Sequence, residues 1–215
     1  VHMKLFELRE QMLKTELSNL AISEDITKSS CGGCSSDDLI KWLDLYNRAT
    51  LLLAGTYHLF RKSVVVTPSA SEPVTINVGD SNYLVLLAAI NNHCNTSYNI
   101  NPTYGMFGVR ADTSGNVTLP QAEANTSITL EYAYKLPTVT IDDINSEILV
   151  PVQCIELVRT YIAHHYYHDM NSPDNIAVSN TYYNRFNEGI ANLQIRNTVG
   201  LSESGNVRFR VNGFL

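Results

Sequence analysis

Two cysteines separated by two glycines, Cys31 and Cys34, are the first residues whose type and spacing could do chemistry. A C-x-x-C pair can lower a thiol pKa for disulfide exchange, or supply half of a zinc site. The redox motif is expected between a strand and a helix, whereas this pair follows a predicted helix in a serine-rich loop. Zinc needs two more ligands, and neither a second C-x-x-C nor an H-x3-H pattern stands nearby. We expect loop thiols, with a metal- or thiol-dependent protein as the alternative.

Three histidines form a second candidate, in the segment His164-His165-Tyr-Tyr-His168. His164 and His168 stand one helical turn apart, a spacing that could hold a metal ion. No glutamate occupies the position of a zincin general base, and Asp169 is the only adjacent carboxylate. We therefore expect ordinary hydrogen bonds within an aromatic-rich helix, and no metal.

Three carboxylates, Asp142, Asp143 and Glu147, suggest paired groups for acid–base catalysis. In a polar connector just before a helix, such residues more simply favour the positive helix end and the solvent. The chain carries no G-x-S-x-G nucleophile elbow, phosphate loop or dinucleotide fingerprint. The sequence therefore predicts a protein that is not an enzyme and needs no cofactor.

Composition narrows the class of protein further. Of 215 residues, 44% are hydrophobic and 17% charged, which is typical of a globular chain. The formal net charge of −6 argues against a dedicated nucleic-acid binder, which would carry a basic stripe. The longest apolar run, residues 84–90, is far too short to cross a bilayer, and no signal peptide is evident. We expect a soluble protein with no membrane contact, made in the cytoplasm.

Hydrophobic periodicity predicts which elements position these residues. Apolar steps of three and four indicate helices over residues 4–20 and from Ser36 or Asp37 to about Arg61. Pro151 opens a third helix, and Ser172-Pro173 starts a fourth that ends near Ile195. Because neither pair can bury its apolar stripes alone, we expect all four helices to pack as one bundle.

Between the helix pairs the period changes to two, which indicates strands. The run 84–90 fits a buried strand or a short helix, and Asp112–Gly115 is a predicted hairpin turn. The other strand candidates are residues 63–67, 74–78, 104–111, 116–119 and 127–134. The predicted fold class is α+β, a four-helix bundle with a β-rich insert and an extended C-terminal tail. The predicted domains are a bundle of residues 3–62 and 138–196, an insert of 63–137 and an arm of 197–215.

The order of these elements carries a resemblance. A helix at Leu5–Arg9 precedes a longer one at Asp38–Arg61, and the β-rich insert ends in Ile128–Tyr132 with Leu136-Pro137. An acidic connector and the Pro151-led helix pair follow. In this arrangement the chain resembles the head-to-tail adaptor, or connector, proteins of tailed bacteriophages.

The resemblance implies a structural virion protein. Such proteins form a ring, usually of twelve copies, beneath the portal vertex, where the ring extends the DNA channel without binding DNA specifically. The expected partners are the portal protein, tail or nozzle proteins and further copies of the chain itself. The expected location is the neck of the virion. Another neck or tail-completion protein is an alternative.

Two sets of residues are expected to make these contacts. The tail alternates as a strand would, and in the resembled family this segment grips the portal. The alternative is a tail that folds back on the β insert of its own chain. Leucines off the main face of the second helix are surplus to one bundle core and are expected at subunit contacts, although a thick core could absorb some of them. The portal-binding set is Val207, Arg208, Phe209, Arg210, Val211, Phe214 and Leu215, and the subunit-interface set is Leu45, Leu51, Leu52 and Leu59.

Overall fold

The computed structural model describes residues 3–20, 35–68, 73–103, 108–120 and 126–203. The chain divides into two compact units. The helical unit comprises residues 1–52 and 136–193, and the β unit comprises residues 53–135 and 194–215. Cys31, Cys34 and the predicted portal-binding residues of the tail lie outside the described residues.

Most of the helical sequence lies in four α-helices: α1 (Leu5–Lys14), α2 (Ser35–Gly55), α3 (Val152–Asp169) and α4 (Pro173–Glu203). A short 3-10 helix, Ile141–Asp143, precedes α3. The predicted apolar stripes of α1 and α2 face inward, whereas Ile176 and Tyr183 of the predicted α4 stripe are exposed. The largest fully buried side chains of the helical unit include Trp42, Leu8, Met12 and Ile162. Two tyrosines of α3 form hydrogen bonds to distant segments of the chain. The hydroxyl of Tyr166 donates to the backbone carbonyl of Asp38 at 3.1 Å, and the hydroxyl of Tyr167 donates to the backbone carbonyl of Glu16 at 2.9 Å.

Helix α2 ends earlier than predicted. It stops at Gly55 rather than near Arg61, and His58 then adopts a positive φ of 49° that a continuing helix excludes. The backbone amide of Leu59 donates back to the carbonyl of Leu53 at 3.0 Å, which satisfies a free carbonyl at the helix end. The first strand can therefore begin at once, at Arg61.

The β unit contains two antiparallel sheets. One has four strands in the order β1-β7-β3-β4, and the other has three in the order β2-β6-β5. The ambiguous run 84–90 is a strand, and it pairs with β7 through two register irregularities. The strands are β1 (Arg61–Val66), β2 (Val74–Asn77), β3 (Tyr83–Asn91), β4 (Thr96–Ser97), β5 (Arg110–Ala111), β6 (Asn116–Leu119) and β7 (Ile128–Tyr134).

The predicted hairpin at Asp112–Gly115 is confirmed. It joins β5 to β6, and the Asp112 carboxylate accepts hydrogen bonds from the amides of Ser114 and Asn116 at 2.8 and 2.9 Å. Gly115 takes a φ of 79°, which a residue with a Cβ rarely adopts. These are the features that short polar residues and glycine supply in turns.

The predicted fold class is wrong. The described part of the chain is a mixed α/β structure with four helices and two antiparallel sheets of seven strands in all. The strands do not form a small insert in a bundle, because they enclose a hydrophobic core of their own that includes Leu86, Val117, Leu119 and Leu130. Helical periodicity identified the stripes but contained no information on how much core the strands would build.

The predicted start of the extended arm is also wrong. Helix α4 runs to Glu203 and so passes the predicted boundary at residue 197. The predicted apolar stripe of this helix ends at Leu193, and Gly200 lies in the helix beyond it. A single glycine costs a helix only about 1 kcal/mol relative to alanine, so it does not have to end one.

Candidate functional site

The described cysteines are not placed for chemistry. Cys94 is exposed, and Cys154 is buried, where the loss of hydration raises its pKa to about 11. A thiol of such high pKa stays protonated at neutral pH and is a poor nucleophile and a poor metal ligand. Cys31 and Cys34 lie outside the described residues, so the thiol alternative stays a prediction for them.

The three histidines lie at the contact between α3 and α4. The hydroxyl of Ser179, a fully buried residue of α4, lies 2.8 Å from Nδ1 of His164 and 3.0 Å from the carbonyl oxygen of the same residue. The ring of His164 lies 5.1 Å from that of Tyr183, and the ring of His165 lies 4.5 Å from that of Tyr161. The histidines therefore belong to a row of packed rings between α3 and α4, which we call the seam.

This seam is not built as a metal centre. The ring centroids of His164 and His168 are 5.8 Å apart, but Nδ1 of His164 is already engaged by Ser179. Within the described ranges, no three His, Cys, Asp or Glu residues are grouped so that they could hold a metal ion. Asp169, the adjacent carboxylate, instead pairs with Lys41 at 2.8 Å. The histidine side chains can therefore join α3 to α4, and protonation of a histidine would change the stability of that contact.

Acidification is expected to weaken this seam through His165. Burial, and then the charge of His164, lower the pKa of His165 below its usual 6.5, with a smaller lowering from His168 and Arg48 and an opposing effect of Asp169. The unfolded chain therefore takes up this proton at a higher pH than the folded chain does. Stability is full above the unfolded pKa and falls as the pH drops from about 7 towards 5.

Urea unfolding at several pH values between 5 and 8, followed by the fluorescence of Trp42, measures this slope. We expect His165→Gln to reduce the pH dependence between pH 5 and 7. The matched control is His168→Gln, at an exposed position one turn away, which should leave most of the slope in place. A slope unchanged by His165→Gln would contradict the assignment.

A polar cluster that the sequence did not indicate lies in the β unit. One carboxylate oxygen of Asp80 accepts hydrogen bonds from Nζ of Lys62 at 2.9 Å and from the hydroxyl of Tyr132 at 3.2 Å. The bond from Lys62 lowers the pKa of Asp80, and burial raises that of Tyr132. Asp80 therefore stays ionised and Tyr132 protonated at neutral pH. Because neither group is poised to exchange a proton, the cluster joins strands instead of supplying a catalytic pair.

Asp143 and Glu147, two of the three predicted acidic residues, line a pocket of the helical unit, whereas Asp142 does not. We call it the connector pocket; it has a volume of about 190 Å³ and is lined by Leu5, Tyr46, Leu136, Pro137, Thr138, Val139, Asp143, Ser146, Glu147 and Leu149. The connector is held in place by Asn47, whose side chain donates to the carbonyl of Val139 at 2.8 Å and accepts from its amide at 2.9 Å. The sequence signal for this pocket was the proline-bounded, acidic connector, but no periodicity predicted a cavity there.

The carboxylate of Asp143 is fixed at the rim of the connector pocket. It accepts hydrogen bonds from the backbone amide and the hydroxyl of Thr140, at 2.9 and 2.8 Å. These bonds lower the pKa of Asp143, so the carboxylate is ionised at neutral pH. The prediction that these carboxylates favour the N-terminus of the helix after the connector is wrong, because α3 has no acidic residue in its first turn. Asp143 instead caps the 3-10 helix together with Thr140. The pocket thus has apolar walls and a negative rim, which suits an apolar group next to a cation.

The predicted subunit-interface leucines fall into two groups. Leu45 and Leu59 are buried, and Leu59 lies beyond the end of α2. Leu51 is 59% exposed and Leu52 half-buried. The core therefore accounts for Leu45 and Leu59, as the thick-core alternative allowed, and a role in subunit contacts stays a prediction.

Helix α4 presents a much larger exposed surface than α2. Among residues 173–195, Ser179, Phe186 and Ile190 are buried, and they lie along a single line of the helix. The close approach to α3 depends on Gly189, because a Cβ there would overlap Cδ2 of Leu157. Ile176, Val178, Tyr183 and Ile195 are exposed by 37% to 63%. The predicted stripe of α4 contains the buried line, but Ile176 and Tyr183, which the stripe also included, are exposed.

Comparisons with known proteins add no functional assignment. A scan against models of protein families gives no match, and a search of curated proteins finds no significantly similar sequence. Of the helices in the described ranges, none is both long enough and apolar enough to span a membrane.

Proposed function

We propose that this chain is a structural subunit of the neck of a tailed bacteriophage virion, a head-to-tail adaptor that joins the portal to tail components. In this proposal copies of the chain close into a ring around the DNA channel. The resemblance in element order suggests this class. The uncovered surface of α4 is the observation that carries it, because it is the feature most suited to contacts between subunits.

The surface of α4 supports the proposal through its size. The exposure is described for residues 173–195 of this helix, a stretch of 23 residues that at 1.5 Å per residue is about 34 Å long. A helix that buries one narrow line and exposes several large apolar side chains either remains in solvent or packs on a partner. Ring closure needs two different complementary faces on each subunit, and a helix exposed on several sides can supply one of them.

The chemistry of the side chains also fits a structural role better than an enzymatic one. Within the described residues, His164 is engaged by Ser179, Asp80 by Lys62 and Tyr132, and Asp143 by Thr140. These candidates for proton transfer are thus held in structural hydrogen bonds or ion pairs. A net charge of −6 repels phosphates, which would let DNA slide through a channel without sticking.

Native mass spectrometry of the full chain, alone and mixed with portal protein, tests the proposal. We expect a closed oligomer near twelve times 24.0 kDa, either alone or on the portal. A chain that stays monomeric and does not bind the portal would contradict the proposal. A monomer with one tightly bound zinc ion would favour the alternative, a metal- or thiol-dependent protein that uses Cys31 and Cys34.

The expected portal contact can be tested by removing the arm. Deleting residues 206–215 should leave the circular dichroism and Trp42 fluorescence unchanged but abolish portal binding, because the arm contains the apolar and basic side chains assigned to the grip. A chain with the same ten residues in scrambled order is the matched control and should also fail to bind. Portal binding by the deletion variant at wild-type strength would exclude the assignment.

A further inference from the structure

The connector pocket has apolar walls and an acidic rim. Its walls include Leu5, Leu136, Val139 and Leu149, and Leu149 is 58% exposed. Its rim carries the carboxylates of Asp143 and Glu147. Residues 136–149 contain three acidic residues and no lysine or arginine. The pocket is thus complementary to a segment in which an apolar ring is flanked by cations.

The same chain contains such a segment. Residues 204–215 read Ser-Gly-Asn-Val-Arg-Phe-Arg-Val-Asn-Gly-Phe-Leu, with two arginines and no acidic residue. We propose that the connector pocket is a docking site for the Arg208-Phe209-Arg210 segment of a second copy of this chain. The inference goes beyond the proposed function, because it assigns a binding site on the chain itself and needs no portal.

The size of the pocket suits one aromatic ring. A cavity of about 150 Å³ lined by apolar side chains is large enough to bind benzene. The connector pocket, at about 190 Å³, therefore has room for the phenyl ring of Phe209. Burying an aromatic side chain is the largest apolar contribution that one residue can make to an interface.

The charges select Phe209 over Phe214. Phe209 stands between Arg208 and Arg210, whereas Phe214 stands between Gly213 and Leu215. With the ring of Phe209 in the pocket, the two guanidinium groups come within reach of the rim carboxylates. Guanidinium–carboxylate pairs form strong, charge-assisted hydrogen bonds. The carboxylate of Asp143 is already held in place by Thr140, so little of its conformational freedom remains to be lost on binding.

A second copy is the expected source of the segment. Each copy carries one pocket and one segment, which are the two different faces that head-to-tail association requires. Phe209 is the sixth residue after Glu203, so a fully extended chain could place it at most about 22 Å from the end of α4. Docking would thus link neighbouring copies before either meets another partner.

Photo-crosslinking of the full chain tests this directly. A chain of natural isotopic composition carrying p-benzoylphenylalanine in place of Phe209 is mixed with an equal amount of unmodified chain labelled with ¹⁵N. After irradiation, mass spectrometry identifies which peptides are joined. We expect crosslinks from position 209 to ¹⁵N-labelled peptides that cover residues 136–149. The same photoreactive residue at position 214 should give at least fivefold fewer of them.

Variants of the ¹⁵N-labelled chain separate docking from misfolding. Leu149→Lys places a positive charge on an exposed wall of the pocket and should lower the crosslink yield at least fivefold, with Trp42 fluorescence unchanged. Val65→Lys is the matched control, since Val65 is 61% exposed on β1 and neither lines the pocket nor lies on α4. This variant should leave the yield as it is.

Crosslinks to other regions, or only within one copy, would overturn the inference. An unchanged yield with Leu149→Lys would overturn it as well. Because no portal is present, these outcomes are independent of the portal-binding test, so the two proposals can fail separately.

Discussion

Leu130→Ala is expected to destabilise the β unit by about 2–5 kcal/mol, the range for removing a fully buried leucine. Leu130 is 0% exposed and lies on β7, the strand that pairs with both β1 and β3. Its register partners are Val64 on one side and Ala89 on the other, so the cavity would open between three strands. A small domain is stable by only about 5–15 kcal/mol, so this loss is large. Hydrogen exchange of the β7 amides, followed by mass spectrometry, measures this loss of stability.

The matched control for Leu130→Ala lies on the adjacent strand of the same sheet. Val65 is 61% exposed on β1, and Val65→Ala should change the unfolding free energy by no more than about 0.5 kcal/mol. Similar losses in protection for both variants would mean that the sheet does not enclose the core described.

Gly189→Val is expected to destabilise the helical unit by about 2 kcal/mol, within the range for overpacking a close contact. The new Cβ would overlap Cδ2 of Leu157, a residue that is itself buried and has little room to move. Either α4 moves away from α3 or Leu157 leaves its position. Urea unfolding followed by Trp42, the single tryptophan of the chain and a buried residue of the helical unit, measures the change.

Gly55→Val provides the matched control for this second prediction. A Cβ at Gly55 has no heavy atom within 4 Å, so the same substitution there should change the stability by about 0.5 kcal/mol or less. Adding Leu157→Ala to Gly189→Val tests the contact itself, because relief of the overlap should make the two losses less than additive. Strictly additive losses would show that Leu157 is not what restricts position 189.

Local sequence patterns predicted the parts of the fold that local physics controls. The steps of three and four that line up Leu39, Trp42 and Tyr46 on α2 predicted a buried face, and these side chains are buried. Aspartate and glycine predicted the Asp112–Gly115 turn, because their side-chain bonding and backbone freedom act over four residues. The ends of α2 and α4 were less predictable, since a helix can accept a glycine or end early at small cost.

The candidate sites likewise divide into features set by neighbouring residues and features set by tertiary packing. The sequence singled out Asp143 but assigned it to the N-terminus of α3, whereas Asp143 caps the 3-10 helix with the neighbouring Thr140. It did not predict the connector pocket, whose lining comes from Leu5, Tyr46 and the segment 136–149. The approach of residues so distant in the chain depends on bonds such as those between Asn47 and Val139, for which no spacing rule exists.

The sequence by itself determined the inward faces of the helices, most of the strands, the net charge of −6 and the basic composition of residues 204–215. These properties follow from residue types and their periods, which act over a few neighbours. Tertiary structure alone decided that seven strands build two sheets with their own core, that α4 buries only one line, and that acidic side chains border an apolar pocket. The reason is physical: burial and cavity shape depend on which distant segments pack together, and that depends on the packing free energy of the whole chain.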